Sequence, residues 1–348
     1  MSLRRDPQET AQPATMELRS WDEARAKAVE VAAQLTDTER GNLVHGVNSY
    51  APGWYVGNTA PVQRLKLPAL TMQDAGNGFR PHVPGTHGST VMWPCSLALA
   101  ATWDEDLVFR VAAAMGREFR GKGANVMLGP AVNVHYTAQS GRNFAQLSGE
   151  DPYLGSRLTR AYVKGVQSQG VMCAVRQFAF DPQVANSTRT NANVDERTAW
   201  ELYYPPFEAA VQAGAGAFVC ANSLVNGTRS CHNEALLTRD LRDAMGFKGM
   251  VISDWGAVRS VEALEAGTDQ EMPGEGGGPR SRFAPEGLAR LDPAALELAA
   301  VHVRTAIALA GLDSNSCAPP ACAQQLRSNQ TSGAHRALAR RAAAAAVT

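Results

Sequence analysis

The chain has 348 residues, 45% of them hydrophobic and 19% charged, which supplies enough apolar side chain for a sizeable core. Lysine plus arginine balances aspartate plus glutamate at 33 each, so no net field draws the chain to nucleic acid or to an anionic membrane. No stretch approaches the roughly 20 apolar residues that span a bilayer. The opening MSLRRDPQETAQP carries arginines without the apolar region of a signal peptide, and the compartment is left open.

The first element in chain order is WDEARAKAVEVAAQLTDTERGNLVHG, a leading helix followed by a helical turn. From about residue 65 to 311 one rhythm then repeats: a short apolar run, a polar or glycine-rich break, an amphipathic helix. The runs are PALTMQDAG, ANVMLGPAVNV, VMCAVRQFA, GAFVCANS and GMVISDWG, with AGTDQEMPG a weaker sixth. Between them, DEDLVFRVAAAMGREFRGKG opens on an acidic turn and closes at Gly121, as capping chemistry favours. LGSRLTRAYVKGVQSQG, DERTAWELYYPPFEAAVQAG and NEALLTRDLRDAMG also run out at glycines, and Pro205-Pro206 is expected to kink the second of these three.

Strands buried on both faces and alternating with helices imply a parallel sheet covered by helices. Five or six such units fit an α/β fold of the (β/α)8 TIM-barrel-like kind, with irregular or missing strands, better than a nucleotide-binding half. No G-x-G-x-x-G follows a first strand, and there is no P-loop. The domain reading is an N-terminal arm and leading helix over 1–34, a barrel over 35–312, and a linker with a short helical tail over 313–348.

Polar residues fall in phase at the ends of the apolar runs: Asp74, Asn133, Arg176-Gln177, Asn222-Ser223, Asp254 and Glu271. Each alone reads as a strand-end turn. Together, on the one face that parallel-barrel strand ends share, they read as a pocket. Arginines, amides and carboxylates beside Trp255 suit a neutral, hydroxyl-rich ligand such as a sugar. Asp254 is the best carboxylate for a nucleophile that traps an oxocarbenium-like sugar. Glu150 and Asp151 in SGEDPYLG have the type of the partner acid, and equally that of a helix N-cap. Glu271 suits a supporting or hydroxyl-binding role. The seven histidines lack H-x-x-x-H and H-E-x-x-H spacing, and the six cysteines, Cys317 and Cys322 included, are not spaced as a zinc site. Neither a metal nor a cofactor is expected.

Several segments carry a resemblance: GNTAPVQRLKLPALTMQDAGNGFR, GREFRGKGANVMLGPAVNVH, GRNFAQLSGEDPYLG, DERTAWELYYPPFEAAVQAGAGAFVCAN, VNGT, GFKGMVISDWGA and GTDQEMPG. In this order, over roughly 35 to 312, they resemble the N-terminal domain of glycoside hydrolase family 3, that of its β-glucosidases. The resemblance implies a retaining hydrolase of β-glucosides or β-linked oligosaccharides, with Asp254 as nucleophile and Trp255 as a subsite wall. It makes Asp74, Arg80 and Arg142 sugar contacts. Arg176-Gln177 stands where the family has Lys-His, and Asn222 where it has a tyrosine beside the nucleophile. Arg keeps the charge in a broader fork, Gln cannot titrate, and Asn is expected to fall short of Asp254.

Phe180, Asp181 and Pro182 replace family asparagines and other polar groups. The family's general acid comes from a following domain, and AHRALARRAAAAAV resembles the helix leading into it. The chain as given is then expected to hold a nucleophile without its acid. It is also expected to self-associate through the surface meant for that domain. The alternative is a sugar-binding barrel with the pocket kept and the chemistry lost. A lyase or aldolase barrel ranks far below, because its Schiff base wants a strand-end lysine where AVRQF offers Arg176.

Overall fold

A computed structural model describes residues 19–181, 188–275, 280–312 and 320–347. Pro182, Cys317, the 313–319 part of the expected linker and tail, and the 1–18 part of the expected arm and leading helix lie outside the described residues. Nine strands are found among the described residues: β1 Gly57–Asn58, β2 Thr71–Asp74, β3 Val126–Leu128, β4 Met172–Phe178, β5 Asn191–Ala192, β6 Ala217–Cys220, β7 Leu224–Val225, β8 Thr228–Arg229 and β9 Met250–Ser253. One sheet has the order β1-β2-β3-β4-β6-β9, and a small second sheet has the order β5-β7-β8. In the large sheet β1 runs antiparallel to β2, and every later pair is parallel. All five strong apolar runs are therefore strands of one parallel wall.

The weaker sixth run is not a strand. AGTDQEMPG contributes isolated bridges, Ile252 to Gln270 and His45 to Glu271. These bridges still close the wall. Ser253 N donates to Gln270 O at 2.8 Å, Glu271 N to Val44 O at 2.8 Å, and Val47 N to Asn58 O at 2.9 Å. Six strands and two irregular staves thus form a ring, the TIM-barrel-like architecture expected, with two of its staves irregular.

Alternation sorts the strand side chains onto two faces. Met72, Val126, Leu128, Met172, Ala174, Ala217, Val219, Met250 and Ile252 share the interior cluster, packed against Val303, Ala306 and Ile307 of the helix Pro293–Leu309. Met127, Cys173, Val175, Phe218 and Val251 face outward into the cluster beneath the other helices. Truncating an interior residue such as Ile252 to alanine costs about 2–5 kcal/mol.

The helices start where their caps dictate. Asp104 accepts from Leu107 N at 2.9 Å and opens Glu105–Gly121. Gly165 lets Pro152–Gln167 lie close on that helix, since a Cβ there would come within 2.5 Å of Phe109 O. The kink expected at Pro205-Pro206 is a wide π-helical turn, Ala199–Tyr203, in which Tyr204 N reaches back to Ala199 O before Pro205–Gln212 begins. The helix Ala235–Ala244 is wound in the same wide way.

The leading helix Trp21–Ala32 packs through Ala24 on Ala308 and Leu309, and through Ala28 and Ala32 on Val301. At the other end, the helix Gly333–Ala345 lies against Glu105–Gly121. There His335 Nδ1 sits 2.8 Å from Glu118 Oε1, and Lys122 Nζ donates to Leu326 O at 3.0 Å. Among the described residues no helix is long and apolar enough to cross a membrane.

Candidate active site

Three site residues continue the interior columns of the barrel. Asp74 lies two positions beyond Met72, Arg176 two beyond Ala174 and Asp254 two beyond Ile252, so the pleat aims all three inward at the carboxyl ends of their strands. The backbone holds the last of these in place: Asp254 N donates to Cys220 O at 3.0 Å, continuing the β6–β9 pairing past Ser253.

The sequence-predicted residues meet in two linked groups. Asp74 Oδ2 accepts from Arg80 Nη1 at 3.0 Å, and Arg176 Nη1 stands 3.4 Å from Oδ1. One carboxylate thus orients two arginines, with Arg80 two-thirds exposed and Arg176 largely covered. In the second group, Gln177 Nε2 donates to Asp254 Oδ2 at 3.2 Å, and Trp255 N donates to Asp254 Oδ1 at 2.8 Å. Asn133 Nδ2 donates to Gln177 O at 3.1 Å, so Asn133 supports the residue that holds the nucleophile candidate. A neutral amide in place of an imidazole still grips the carboxylate. It contributes no proton.

Trp255 leans on the interior cluster and donates its Nε1–H to Ser49 Oγ at 3.4 Å. Gly57 makes room for it, because a Cβ there would stand 3.2 Å from the indole. Asn222 makes no hydrogen bond to Asp254 among the described residues.

Two expected roles resolve as structural. Asp151 caps the helix Pro152–Gln167, accepting from Tyr153 N at 2.8 Å and Leu154 N at 3.2 Å. Glu271 is buried and saturated by Ser281 Oγ at 2.6 Å, Arg282 N at 2.9 Å and Phe283 N at 2.8 Å, so it ties residues 281–283 to the wall.

Two features escaped the sequence reading, and a third, Asp181, was read there only as a departure from the family pattern. Tyr50, half-exposed, feels the charges of both Asp74 and Arg80 and packs edge-on against His82 at 5.7 Å. Cys220 and Cys231 form a disulfide that brackets the segment bearing Asn222, a pairing the scattered spacing concealed. Asp181 lies fully buried beside Arg142, 4.0 Å from Nη2, and neither of its oxygens has a hydrogen-bond partner among the described residues. Burial pushes its carboxyl up to about 6, with Arg142 opposing the shift and Asp254 adding to it. A cavity of about 300 Å³ between Trp200, Tyr204, Asn226 and Arg239 touches this region only through Phe180, and neither Asp74 nor Asp254 lines it. Among the described residues no cluster of three metal-ligating side chains occurs.

A barrel whose strand ends present a partly exposed carboxylate beside an indole, with a second carboxylate spanning two arginines, has the form of a carbohydrate-active α/β barrel. The family model for the glycosyl hydrolase family 3 N-terminal domain matches residues 18–275, and the chain belongs to that family. It is 38% identical over 248 residues to a β-glucosidase of Rhizobium radiobacter, covering 70% of this chain and 29% of that protein. It is 37% identical over 258 residues to the thermostable β-glucosidase B of Acetivibrio thermocellus, covering 70% and 32%. The chain thus spans about a third of the length of these curated relatives.

Among solved structures, DesR, a β-glucosidase from Streptomyces venezuelae in complex with D-glucose, matches with a TM-score of 0.81 and 33% identity, over 92% of this chain and 41% of that one. β-Glucosidase 3B from Thermotoga neapolitana in complex with glucose matches with a TM-score of 0.80 and 32% identity, over 92% and 47%.

Proposed function

We propose that the chain carries the glycone site and nucleophile of a retaining β-glucosidase, acting on β-glucosides or related β-linked oligosaccharides. The observation that carries the reading is the setting of Asp254. It stands at a strand end, half-buried, with one oxygen held by Gln177 and the other by the backbone of Trp255. Held this way, a carboxylate can present a lone pair to the anomeric carbon while the indole covers the apolar face of the ring. Asp74 and the arginines it orients, Arg80 and Arg176, take the sugar hydroxyls, with Arg142, Gln177 and Asn222 completing the wall. Two relatives bind glucose in their solved structures, which supports glucose as the sugar.

Retention needs a second carboxyl about 5–5.5 Å from the nucleophile to protonate the departing oxygen. Asp74 is engaged by two arginines, Asp181 is enclosed and Asp151 caps a helix, so none of these is free for that task. We place the acid outside this constellation. Glucosides whose leaving group departs unprotonated are therefore the substrates of the chain by itself.

A series of aryl β-glucosides of graded leaving-group acidity tests the reading. The rate is expected to fall steeply as the leaving group becomes more basic, by about 10²–10⁴-fold for the contribution of an absent acid. Asp254→Ala is expected to abolish turnover of even the most activated member. Equal rates across the series, or an active Asp254→Ala protein, would overturn it.

A further inference from the structure

Asp181 and Arg142 are each left unfinished, and each has what the other lacks. The Asp181 side chain is 1% exposed, and among the described residues both its oxygens lack a donor and the buried Arg142 Nε lacks an acceptor. Their closest approach is 4.0 Å, about 1 Å beyond a charge-assisted hydrogen bond. Buried carboxylates are otherwise paired and hydrogen-bonded.

The backbone is also bent to put Asp181 there. Phe180 adopts φ +59°, a left-handed conformation that a bulky residue rarely takes, and it is held by Tyr203 at 5.5 Å and Tyr204 at 5.3 Å between ring centroids. Local strain and a desolvated, unpaired carboxylate both oppose folding, and they converge on one residue beside a sugar-facing arginine.

We infer that Asp181 is the positioning residue for Arg142: as a carboxylate it draws the guanidinium into a hydrogen-bonded pair, and when protonated it lets the guanidinium go. Its effect on sugar binding rests on the reading that Arg142 touches the sugar; the pairing itself does not. The other titratable groups facing Asp181 are Asp254, at the end of β9, and Tyr136, on the segment after β3. Asp254 adds a like charge that favours the protonated form of Asp181. Tyr136, pushed up to about 12 chiefly by burial, stays neutral throughout. With Asp181 raised to about 6, the pair is locked above that pH and released below it.

Two readouts on the folded chain separate the pairing from the sugar reading. In carbon-13 NMR of carboxyl-labelled aspartate, the Asp181 signal, identified by its loss in Asp181→Asn, is expected to titrate near pH 6. In Arg142→Gln its midpoint is expected to rise by about one pH unit. A midpoint unmoved by Arg142→Gln overturns the pairing; should Asp181→Asn fail to fold, Asp181→Glu, which also removes the labelled aspartate, identifies the signal.

Calorimetric titration with glucose is expected to give about tenfold tighter binding at pH 7.5 than at pH 5, and weak, flat binding in Asp181→Asn. Binding in the wild type that is independent of pH overturns the coupling. No glucose binding at any pH, with the NMR coupling intact, upholds the pair and sinks the sugar reading instead. If Asp181→Asn slows only glucosides with poor leaving groups, Asp181 is an acid and the positioning role is overturned.

Discussion

Two regions of this molecule surround their buried ionisable groups in opposite ways. Glu118, on the helix Glu105–Gly121, is fully enclosed and fully engaged. It accepts from Trp93 Nε1 at 3.2 Å and from Val91 N at 3.3 Å, and meets His335 Nδ1 at 2.8 Å. One turn on, Lys122 is equally enclosed, donating to Ser89 Oγ at 2.5 Å and Leu326 O at 3.0 Å. Asp181, at the barrel mouth, is as deeply buried, and its side chain has no hydrogen bond among the described residues. The first arrangement fastens the helical tail to the barrel. The second burdens the fold and faces the candidate nucleophile. Saturation marks a structural charge, and its absence marks a site held ready for something else.

The strongest challenge to this contrast is Glu118→Ala. It leaves the Trp93 indole, the Val91 amide and His335 without their acceptor, and is expected to cost about 3–5 kcal/mol in urea unfolding. A loss below about 1 kcal/mol would show that the network fastens nothing.

Asp181→Asn is expected to act the other way. Its carboxyl is raised from 3.8 to about 6. The stability it contributes is therefore fully present below about pH 4 and is lost as pH rises through 6. At 1.36 kcal/mol per pH unit the loss is about 3 kcal/mol at pH 7.5. The amide escapes this penalty, so the variant is expected to be more stable than wild type at pH 7.5 and to show little change between pH 4 and 7. A variant no more stable than wild type at pH 7.5 would mean that burial does not raise the carboxyl of Asp181.

Asp151→Ala, which removes only an N-cap, is expected to cost about 1 kcal/mol and to leave turnover unchanged across the aryl-glucoside series. A large loss that grows as the leaving group becomes poorer would return Asp151 to the reaction.

The barrel was legible because buried parallel strands write themselves as apolar runs, and β2, β3, β4, β6 and β9 each sit inside one. The sixth run failed as a strand because AGTDQEMPG has little apolar content and pairs only around Gln270 and Glu271. The phase of Asp74, Arg176 and Asp254 was legible for the same reason that it works, a two-residue repeat that runs to the carboxyl end of β2 and β4 and one step past β9. Asp181 was visible only as a departure from the family pattern. Its environment depends on Arg142, distant in sequence, and on the backbone turn at Phe180, and neither leaves a local signal. The Cys220–Cys231 bond was hidden likewise, since proximity of those two positions follows from β6 ending where the Ser230–His232 turn returns.

The central claim, that Asp254 is a working nucleophile, is tested most directly by intact-mass spectrometry. The probe is a 2-deoxy-2-fluoro-β-glucoside with a dinitrophenolate leaving group, which departs without an acid and leaves a slowly hydrolysed intermediate. We predict a single glycosyl adduct that maps to Asp254 and is absent from Asp254→Ala. Folded protein that gains no adduct, or an adduct on another residue, would contradict the account.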